Sequence, residues 1–169
     1  MQTLKAEVVA ISPLTEFVNK VILKPQQPVT FEAGQYMQLV LSEKDKRAFS
    51  IASRPSQCDE IELHIGASGA DSYAMQSLEH LRNAHANNTM VDIEAGLGVS
   101  QLRLQCNRPI ILLAGGTGFS YVKSMADHLA EINCDRPVLF YWGVKEESAL
   151  YAHEEMKLWA ESHEHFEFI

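Results

Sequence analysis

The segment Gly115-Gly116-Thr117-Gly118 contains the residue types that point most directly to ligand chemistry. It follows the apolar run 109–114 and precedes residues whose apolar side chains recur at helical spacing. Glycines at the carboxyl end of a strand let backbone amides approach a ligand, and the positive end of the next helix points to the same place. The segment therefore predicts either a diphosphate-binding turn or a plain tight turn. It does not have the GxGxxG spacing of the common dinucleotide fingerprint.

Other segments could also take part in chemistry, and each has a purely structural interpretation. Residues 47–53, RAFSIAS, taken alone form a strand with polar residues on one face. Gly96-Leu97-Gly98 is half of a phosphate loop, and we interpret it as a turn that closes a barrel. The glutamate pairs at 146–147 and 154–155 are typical of a solvated helical face rather than of an acid–base site. None of these segments identifies a reaction by itself.

The composition excludes several classes of protein. A formal net charge of −8 argues against a nucleic-acid surface, because such a surface needs a basic stripe that displaces counterions. No apolar run approaches the roughly 20 residues that a membrane-spanning helix needs. The first residues also lack the basic start and apolar stretch of a secretory signal. We therefore expect neither a nucleic-acid nor a membrane partner.

Metal and disulfide chemistry have little support in the sequence. The cysteines Cys58, Cys106 and Cys134 are far apart and odd in number, and the chain has no CxxC or HExxH motif. His163 and His165 could be two ligands on one strand face, but a solvated polar stretch explains them better. We expect no metal site and a reducing, cytoplasmic compartment.

The elements that must position these segments change in character along the chain. Strands are predicted at residues 4–11, 17–23, 37–41, 47–53, 61–65 and 90–93, with a helix at 72–82. Six short strands at about ten-residue spacing predict a small antiparallel β-barrel.

After Asn107 the pattern becomes that of an α/β domain. Residues 109–114 are a continuous apolar run, which is typical of a strand buried on both faces. A helix at 119–130, a strand at 137–142, a helix at 149–161 and a strand at 166–169 follow. The order β-α-β-α-β predicts a parallel sheet with helical crossovers. We place the boundary at 105–108, between a barrel domain of residues 1–105 and a nucleotide-binding domain of residues 106–169.

A barrel whose RxFSxxS strand precedes a GGTG α/β domain resembles the ferredoxin-reductase-like flavoenzymes. Within that superfamily the chain is most similar to the NAD(P)H:flavin reductases. The matching blocks are AGQY at 33–36, DKRAFSIAS at 45–53, ELHIGAS at 62–68, residues 111–121 and YWG at 141–143. GGTGFSY in place of the commoner GGTGxxP, together with HIGAS and YWG, is specific, whereas RxFS is generic.

The resemblance implies a role for each block. Ser50 lies beside the flavin N5 and is the catalytic candidate, and Arg47 and Phe49 line the isoalloxazine and ribityl region. The residues from the neighbouring strand hold the ring and ribityl chain; they are His64, Ile65, Ala67 and Ser68. Residues facing the diphosphate, ribose and cleft of the pyridine nucleotide are Gly115, Gly116, Thr117, Gly118, Trp142 and Gly143.

Two departures from the family pattern bear on the flavin. Ala48 stands where a close relative often has proline, which leaves the reactive positions intact. Glu94 and Leu97 replace residues of the Pro-x-Gly turn in members that retain FAD, and no platform for the adenylate half of FAD is evident. The resemblance therefore implies that FMN, riboflavin or FAD binds weakly, as a substrate.

The implied activity is hydride transfer from NADH or NADPH to a free flavin. The reduced flavin would serve an oxygenase, a luciferase or ferric iron. Two alternatives stay open: a reductase component whose tightly bound flavin feeds a partner protein, and a non-catalytic flavin-binding module. The nicotinamide preference is also open, because Lys145 could meet a 2′-phosphate that Glu146 and Glu147 would repel.

The end of the chain carries one more expectation. Only three strands of the α/β part precede Ile169, whereas sheets typically have about five or six. We expect an incomplete α/β domain whose last strand, residues 166–169, has uncovered apolar side chains on its outer side. A fragment of this kind should keep the flavin pocket but bind pyridine nucleotide poorly.

Overall fold

An antiparallel barrel comes first in the chain and a parallel sheet with helices follows. The computed structural model describes residues 3–67 and 72–169. The strands of the barrel are β1 Leu4–Pro13, β2 Val18–Pro25, β3 Tyr36–Ser42, β4 Asp45–Ser50, β5 Ile61–Gly66 and β6 Val91–Leu97, with helix α1, Ser72–Ala86, before β6. The second part comprises β7 Ile110–Gly115, α2 Phe119–Glu131, β8 Val138–Gly143, α3 His153–Glu161 and β9 Phe166–Phe168.

The six barrel strands pair in the order β4-β3-β6-β1-β2-β5, and every pair is antiparallel. Just beyond β4, the Ala52 N–H donates to the Glu62 carbonyl at 2.8 Å and so joins the two ends of this order. Alternate side chains fill the interior together with apolar residues of α1 such as Leu78 and Leu81. The predicted six-stranded barrel is confirmed.

Some predicted boundaries shift for local reasons. Strand β4 ends at Ser50 rather than at residue 53. The Ile51 N–H donates to the carbonyl of Gln35, which precedes β3, and the Ala52 N–H donates to the carbonyl of Glu62 in β5. Strand β6 continues to Leu97, whose partner across the ladder is Tyr36. The Gly96-Leu97-Gly98 segment therefore ends a barrel strand, in line with its structural interpretation.

The parallel sheet has the order β7-β8-β9, which confirms the predicted β-α-β-α-β arrangement. Leu112 pairs with Phe140, which in turn pairs with Phe168, so apolar residues align across the sheet. Both α2 and α3 pack on this aligned face, where they form a second hydrophobic core with residues such as Phe119, Met125 and Met156.

The expectation that the first strand of this sheet is buried on both faces is wrong. Ile111 and Leu113 of β7 are 66% and 75% exposed. The reason is that both crossover helices cover the opposite face, so alternate β7 residues have no covering layer among the described residues. In the predicted last strand, residues 166–169, Phe166 is buried and Phe168 packs edge-on against Phe140, whereas Ile169 is 50% exposed. The most exposed apolar side chains of the sheet thus belong to β7.

The described part of the chain has neither a membrane-spanning helix nor a cluster of metal-binding side chains. No helix in residues 3–67 and 72–169 is both long and apolar enough to cross a membrane. In the same part of the chain, no group of three or more His, Cys, Asp or Glu side chains could hold a metal ion.

The barrel packs directly against α2. The Ser124 hydroxyl of α2 donates to the Ser53 carbonyl at 2.7 Å, and this contact is buried. At the end of the same helix, Glu131 accepts from the Ser56 hydroxyl at 2.6 Å and lies 3.3 Å from Arg54. The two parts therefore share an interface with specific polar contacts.

Phe119 provides the first test of this architecture. Its ring is 0% exposed and stacks on Trp142 with centroids 4.0 Å apart. We expect Phe119→Ala to lower the free energy of unfolding by about 3–5 kcal/mol, because it leaves a large cavity. Urea denaturation measures this loss. The control Phe17→Ala removes a side chain that is 50% exposed, so it should cost far less; equal losses would contradict the packing described here.

Candidate functional site

A cleft of about 580 Å³ lies where the barrel meets the carboxyl edge of the parallel sheet. Both parts of the chain contribute to its walls. The barrel contributes Phe17, Val18, Gly66 and Ala67. The sheet and its loops contribute Gly116, Thr117, Gly143, Val144, Lys145 and Ala149. Ligands of open α/β sheets bind at this edge, so the cleft is the candidate site.

The glycine segment forms the predicted strand–turn–helix junction. Gly115 ends β7 in an extended conformation, and a 3-10 turn, Gly116–Gly118, leads directly into α2. Gly116 has a φ of +52°, a left-handed conformation that favours glycine. A Cβ atom on Gly115, Gly116 or Gly118 would meet nothing within 4 Å. The backbone at the start of α2 is therefore open to a ligand, which suits a diphosphate.

Trp142 supports this turn from behind. Its indole Nε1–H donates to the Gly116 carbonyl at 2.9 Å, and the side chain is 5% exposed. Gly143, the next residue, lines the cleft itself. Of the predicted pair, Gly143 thus borders the cleft, whereas Trp142 fixes the conformation of the turn. The predicted ligand contacts of both remain predictions.

Arg47 is held by protein groups on several sides. Its Nε and Nη2 donate to the two carboxylate oxygens of Asp45 at 2.8 Å, and this hydrogen bonding holds the pKa of Asp45 below its ordinary value. Further donations reach the Tyr73 carbonyl and Gln76 Oε1, both at 2.7 Å, and the guanidinium lies 4.9 Å from the Tyr73 ring centre. Arg47 therefore ties α1 to β4, and its predicted contact with flavin remains a prediction.

Phe49 and Ser50 lie at the end of β4. The Phe49 ring is half-buried and tilts against Tyr73 with centroids 5.9 Å apart. Ser50 pairs with Tyr36 across the ladder and is half-buried. Ser50 is not among the residues that line the 580 Å³ cleft. The structure thus groups Phe49 with Arg47 and Tyr73, whereas it leaves Ser50 outside the lining of the cleft.

The predicted residues of the β5 region have different environments. Ile65 is 1% exposed and packs in the barrel core, so only its backbone is available to a ligand. Ala67 lines the cleft. Ser68 lies outside the described residues. His64 is 7% exposed, and its ring stacks on Phe119.

Both ring nitrogens of His64 have protein partners. Nδ1 lies 3.0 Å from the Tyr151 hydroxyl, and Nε2 lies 2.7 Å from Glu62 Oε1. Tyr151 comes from the loop before α3, so this chain of contacts joins the barrel to the α/β part. The structure therefore gives His64 a joining role between the two parts, and its predicted contact with flavin stays a prediction.

Glu62, His64 and Tyr151, together with Lys123 and Asp127, form a polar cluster. Burial alone would raise the pKa of Glu62, but the hydrogen bond from His64 and the charges of Lys123 and Lys20 together lower it. Burial would lower the pKa of Lys123, and the charge and hydrogen bond of Asp127, 2.6 Å away, raise it. Burial, and then the charge of Glu62, raise the pKa of Tyr151. The cluster therefore keeps the Glu62 carboxylate and the Lys123 ammonium ionised near neutral pH.

Sequence reasoning missed several residues of this site. Tyr151 and Lys123 reach the polar cluster, whereas Phe17 and Val18 enter the cleft from the turn between β1 and β2. Tyr73 could have been suspected from the sequence, because it lies only five residues after the ELHIGAS block at 62–68. The others are far apart in sequence and have no local motif that could indicate them.

The chain is similar in sequence to known reductases. Residues 112–169 match the family model described as the oxidoreductase NAD-binding domain. An NAD(P)H-flavin reductase of Aliivibrio fischeri is 41% identical over 167 residues, which are 98% of this chain and 71% of that protein. An NAD(P)H-flavin reductase of Vibrio harveyi is 42% identical over 155 residues, which are 91% of this chain and 65% of that protein.

The fold is similar to that of a solved reductase. A cytochrome P450 reductase from Amycolatopsis superposes with a TM-score of 0.84 and 27% sequence identity. The match covers 99% of this chain and 51% of that protein. This chain thus spans about half of the solved reductase and about two thirds of the two curated relatives.

The polar cluster predicts an acid-dependent stability. Because the pKa of Glu62 is lowered by folding, its ionised form stabilises the protein above its ordinary pKa of 4.5, and this contribution disappears as the pH falls through the lowered value. We expect Glu62→Gln to cost about 1–3 kcal/mol of unfolding free energy at pH 7 and less below about pH 4. Urea denaturation across this pH range measures the difference.

The matched control is Glu60→Gln, which alters an exposed carboxylate two residues away. Its effect should be small at every pH. A Glu62→Gln cost that stays constant from pH 7 to pH 3.5 would contradict the ionic role assigned to Glu62.

Proposed function

The chain belongs to the NAD(P)H-flavin reductase family, and on this premise we propose that it reduces free flavin with NADH or NADPH. In the proposed reaction, hydride passes from nicotinamide C4 to flavin N5. We also propose the division into a flavin-binding barrel, residues 1–105, and a nucleotide-binding part, residues 106–169, and a cytoplasmic location.

One observation carries this proposal. Gly66 ends β5, the strand that the resemblance assigns to flavin, and Ala67 follows it. Both line the same cleft as Gly116 and Thr117 of the glycine turn. A direct hydride transfer needs its two reactants stacked in one water-poor space. A cleft built from both parts of the chain supports such stacking.

The nucleotide side fits a diphosphate and a ribose. The open backbone at Gly115, Gly116 and Gly118 offers amide donors at the start of α2, with no Cβ atoms in the way. Lys145 adds a cationic side chain to the cleft wall. In the proposed complex, Thr117 orients the ribose or carboxamide, and Gly143 forms the adjoining wall.

The flavin and the nicotinamide supply the redox chemistry when bound, so the protein needs little acid–base assistance. The residues of the chain bind, orient and exclude water. In the proposal Ser50 donates a hydrogen bond to N5, Arg47 and Phe49 line the isoalloxazine and ribityl region, and β5 from His64 onward flanks the ring.

A weakly bound flavin is supported by the end of β6. Glu94 is 6% exposed and accepts from Lys46 at 2.7 Å and from the Thr3 hydroxyl at 3.2 Å. Leu97 is buried. Glu94 and Leu97 stand where the resemblance places the Pro-x-Gly turn of members that retain FAD, and the Glu94 carboxylate is held by Lys46 and Thr3. We therefore propose FMN, riboflavin or FAD as a substrate, released after reduction to an oxygenase, a luciferase or ferric iron.

A second candidate function has one observation in its favour. The solved cytochrome P450 reductase that superposes on this chain is a reductase for another protein. By analogy, the chain could hold its flavin tightly and pass electrons to a partner. An absorbance spectrum of the purified protein distinguishes the two, because only a retained flavin gives a yellow protein.

NADH oxidation with and without added FMN tests the proposal itself. Oxidation that depends on added flavin supports flavin reduction. Flavin binding with no oxidation of NADH or of NADPH at any flavin concentration would instead identify a non-catalytic flavin-binding module.

We expect Ser50→Ala to lower turnover roughly ten- to a thousandfold with little change in flavin affinity, because it removes one pre-placed donor to a developing charge. Steady-state kinetics at saturating flavin and a flavin titration measure the two effects. The control Ser12→Ala changes an exposed serine of β1 and should leave turnover intact. Full turnover in Ser50→Ala would refute the role at N5.

We expect riboflavin, FMN and FAD to bind with similar, modest affinities, because Glu94 and Leu97 replace residues of the Pro-x-Gly turn that the resemblance associates with retained FAD. Fluorescence titration of the three flavins gives the dissociation constants. FAD binding that is a hundredfold tighter than riboflavin binding would favour the reductase with retained flavin.

A further inference from the structure

Gly66 lies against Thr117 at the point where the barrel meets the glycine turn. A Cβ atom on Gly66 would be 2.7 Å from the Thr117 Cγ2 methyl, which is closer than real Cβ contacts allow. It would be 3.5 Å from Thr117 Oγ1, an ordinary contact distance. The obstacle to a side chain at position 66 is therefore a single methyl group.

Backbone geometry does not by itself require glycine here. Gly66 is the last residue of β5 and pairs with Val18 in the β2–β5 ladder. Its φ lies outside the left-handed region, in contrast to Gly116 with φ +52°. The space taken by the Thr117 methyl is thus the constraint on residue 66.

The same contact restricts the Thr117 side chain. Threonine is β-branched, so few χ1 rotamers are open to it, and the methyl that packs on Gly66 selects among them. Thr117 is half-buried and lines the cleft. Within residues 3–67 and 72–169 its hydroxyl makes no side-chain hydrogen bond, so it is available to a ligand.

We propose that Gly66 is a positioning residue for the pyridine nucleotide. Its missing side chain leaves room for the Thr117 methyl, and the resulting rotamer presents the Thr117 hydroxyl to the ribose or carboxamide of the nucleotide. The contact also sets how closely the flavin-side strand approaches the glycine turn. This inference rests on the proposed function, because it assigns the nucleotide to the same cleft.

A double-mutant cycle tests the pair. Gly66→Ala introduces the clash with the methyl, and Thr117→Ser removes that methyl while it keeps a hydroxyl. We expect Gly66→Ala to raise the dissociation constant of NADH tenfold or more in the wild-type background, but less than twofold in the Thr117→Ser background. Because Gly66 ends the flavin-side strand β5, any change that Gly66→Ala causes in riboflavin binding should be the same in both backgrounds. NADH fluorescence and riboflavin titration give the constants.

A merely structural role for Gly66 gives a different result. General disruption by Gly66→Ala would raise the dissociation constant of NADH by the same factor in both backgrounds, and that result overturns the inference. The control Ser12→Thr adds a methyl to an exposed strand position away from the cleft and should alter neither constant. Thermal unfolding of each variant shows whether it is folded.

The cycle also separates this inference from the proposed function. If the wild-type chain binds neither NADH nor NADPH, the proposed function fails and the positioning role fails with it. If the wild type binds NADH and the two substitutions act additively, only the positioning role of Gly66 fails.

Discussion

The whole site depends on the burial of one aromatic ring between the two parts of the chain. Phe119 is the first residue of α2, and its ring packs between His64 of the barrel and Trp142 of β8, with centroids 5.9 and 4.0 Å away. This packing brings the end of β5 next to the glycine turn that immediately precedes Phe119. Because the hydrophobic effect that buries this ring is non-directional, the polar contacts around the ring then define the orientation of the two parts.

Those polar contacts form a cluster that neither part of the chain could complete alone. Glu62 and His64 belong to the barrel, whereas Lys123 and Tyr151 belong to the α/β part. A buried carboxylate without partners is costly, so separating the two parts would expose or strand these groups. The cluster therefore favours one relative orientation of barrel and sheet, and hence one shape of the cleft.

The glycine turn, Gly116–Gly118, is held by a buried side chain on one side and faces the cleft on the other. Trp142 fixes the turn from behind through the Gly116 carbonyl, and the open side of the turn faces the cleft. On the barrel side, Gly66 allows the close approach of Thr117. At this junction the supporting side chain, Trp142, is buried, and the residues that face the cleft, Gly66, Gly116 and Thr117, have no side chain or a small one.

Sequence patterns alone determined the barrel, the parallel sheet and the strand–turn–helix at Gly115, because period-two and helical spacing are local properties. They failed for β7, where an apolar run predicts two covered faces although Ile111 and Leu113 are exposed. Which faces are covered depends on where both crossover helices pack. The partners of His64 and Arg47 were likewise decided by tertiary structure, since Tyr151 lies 87 residues from His64 and no local pattern relates positions so far apart.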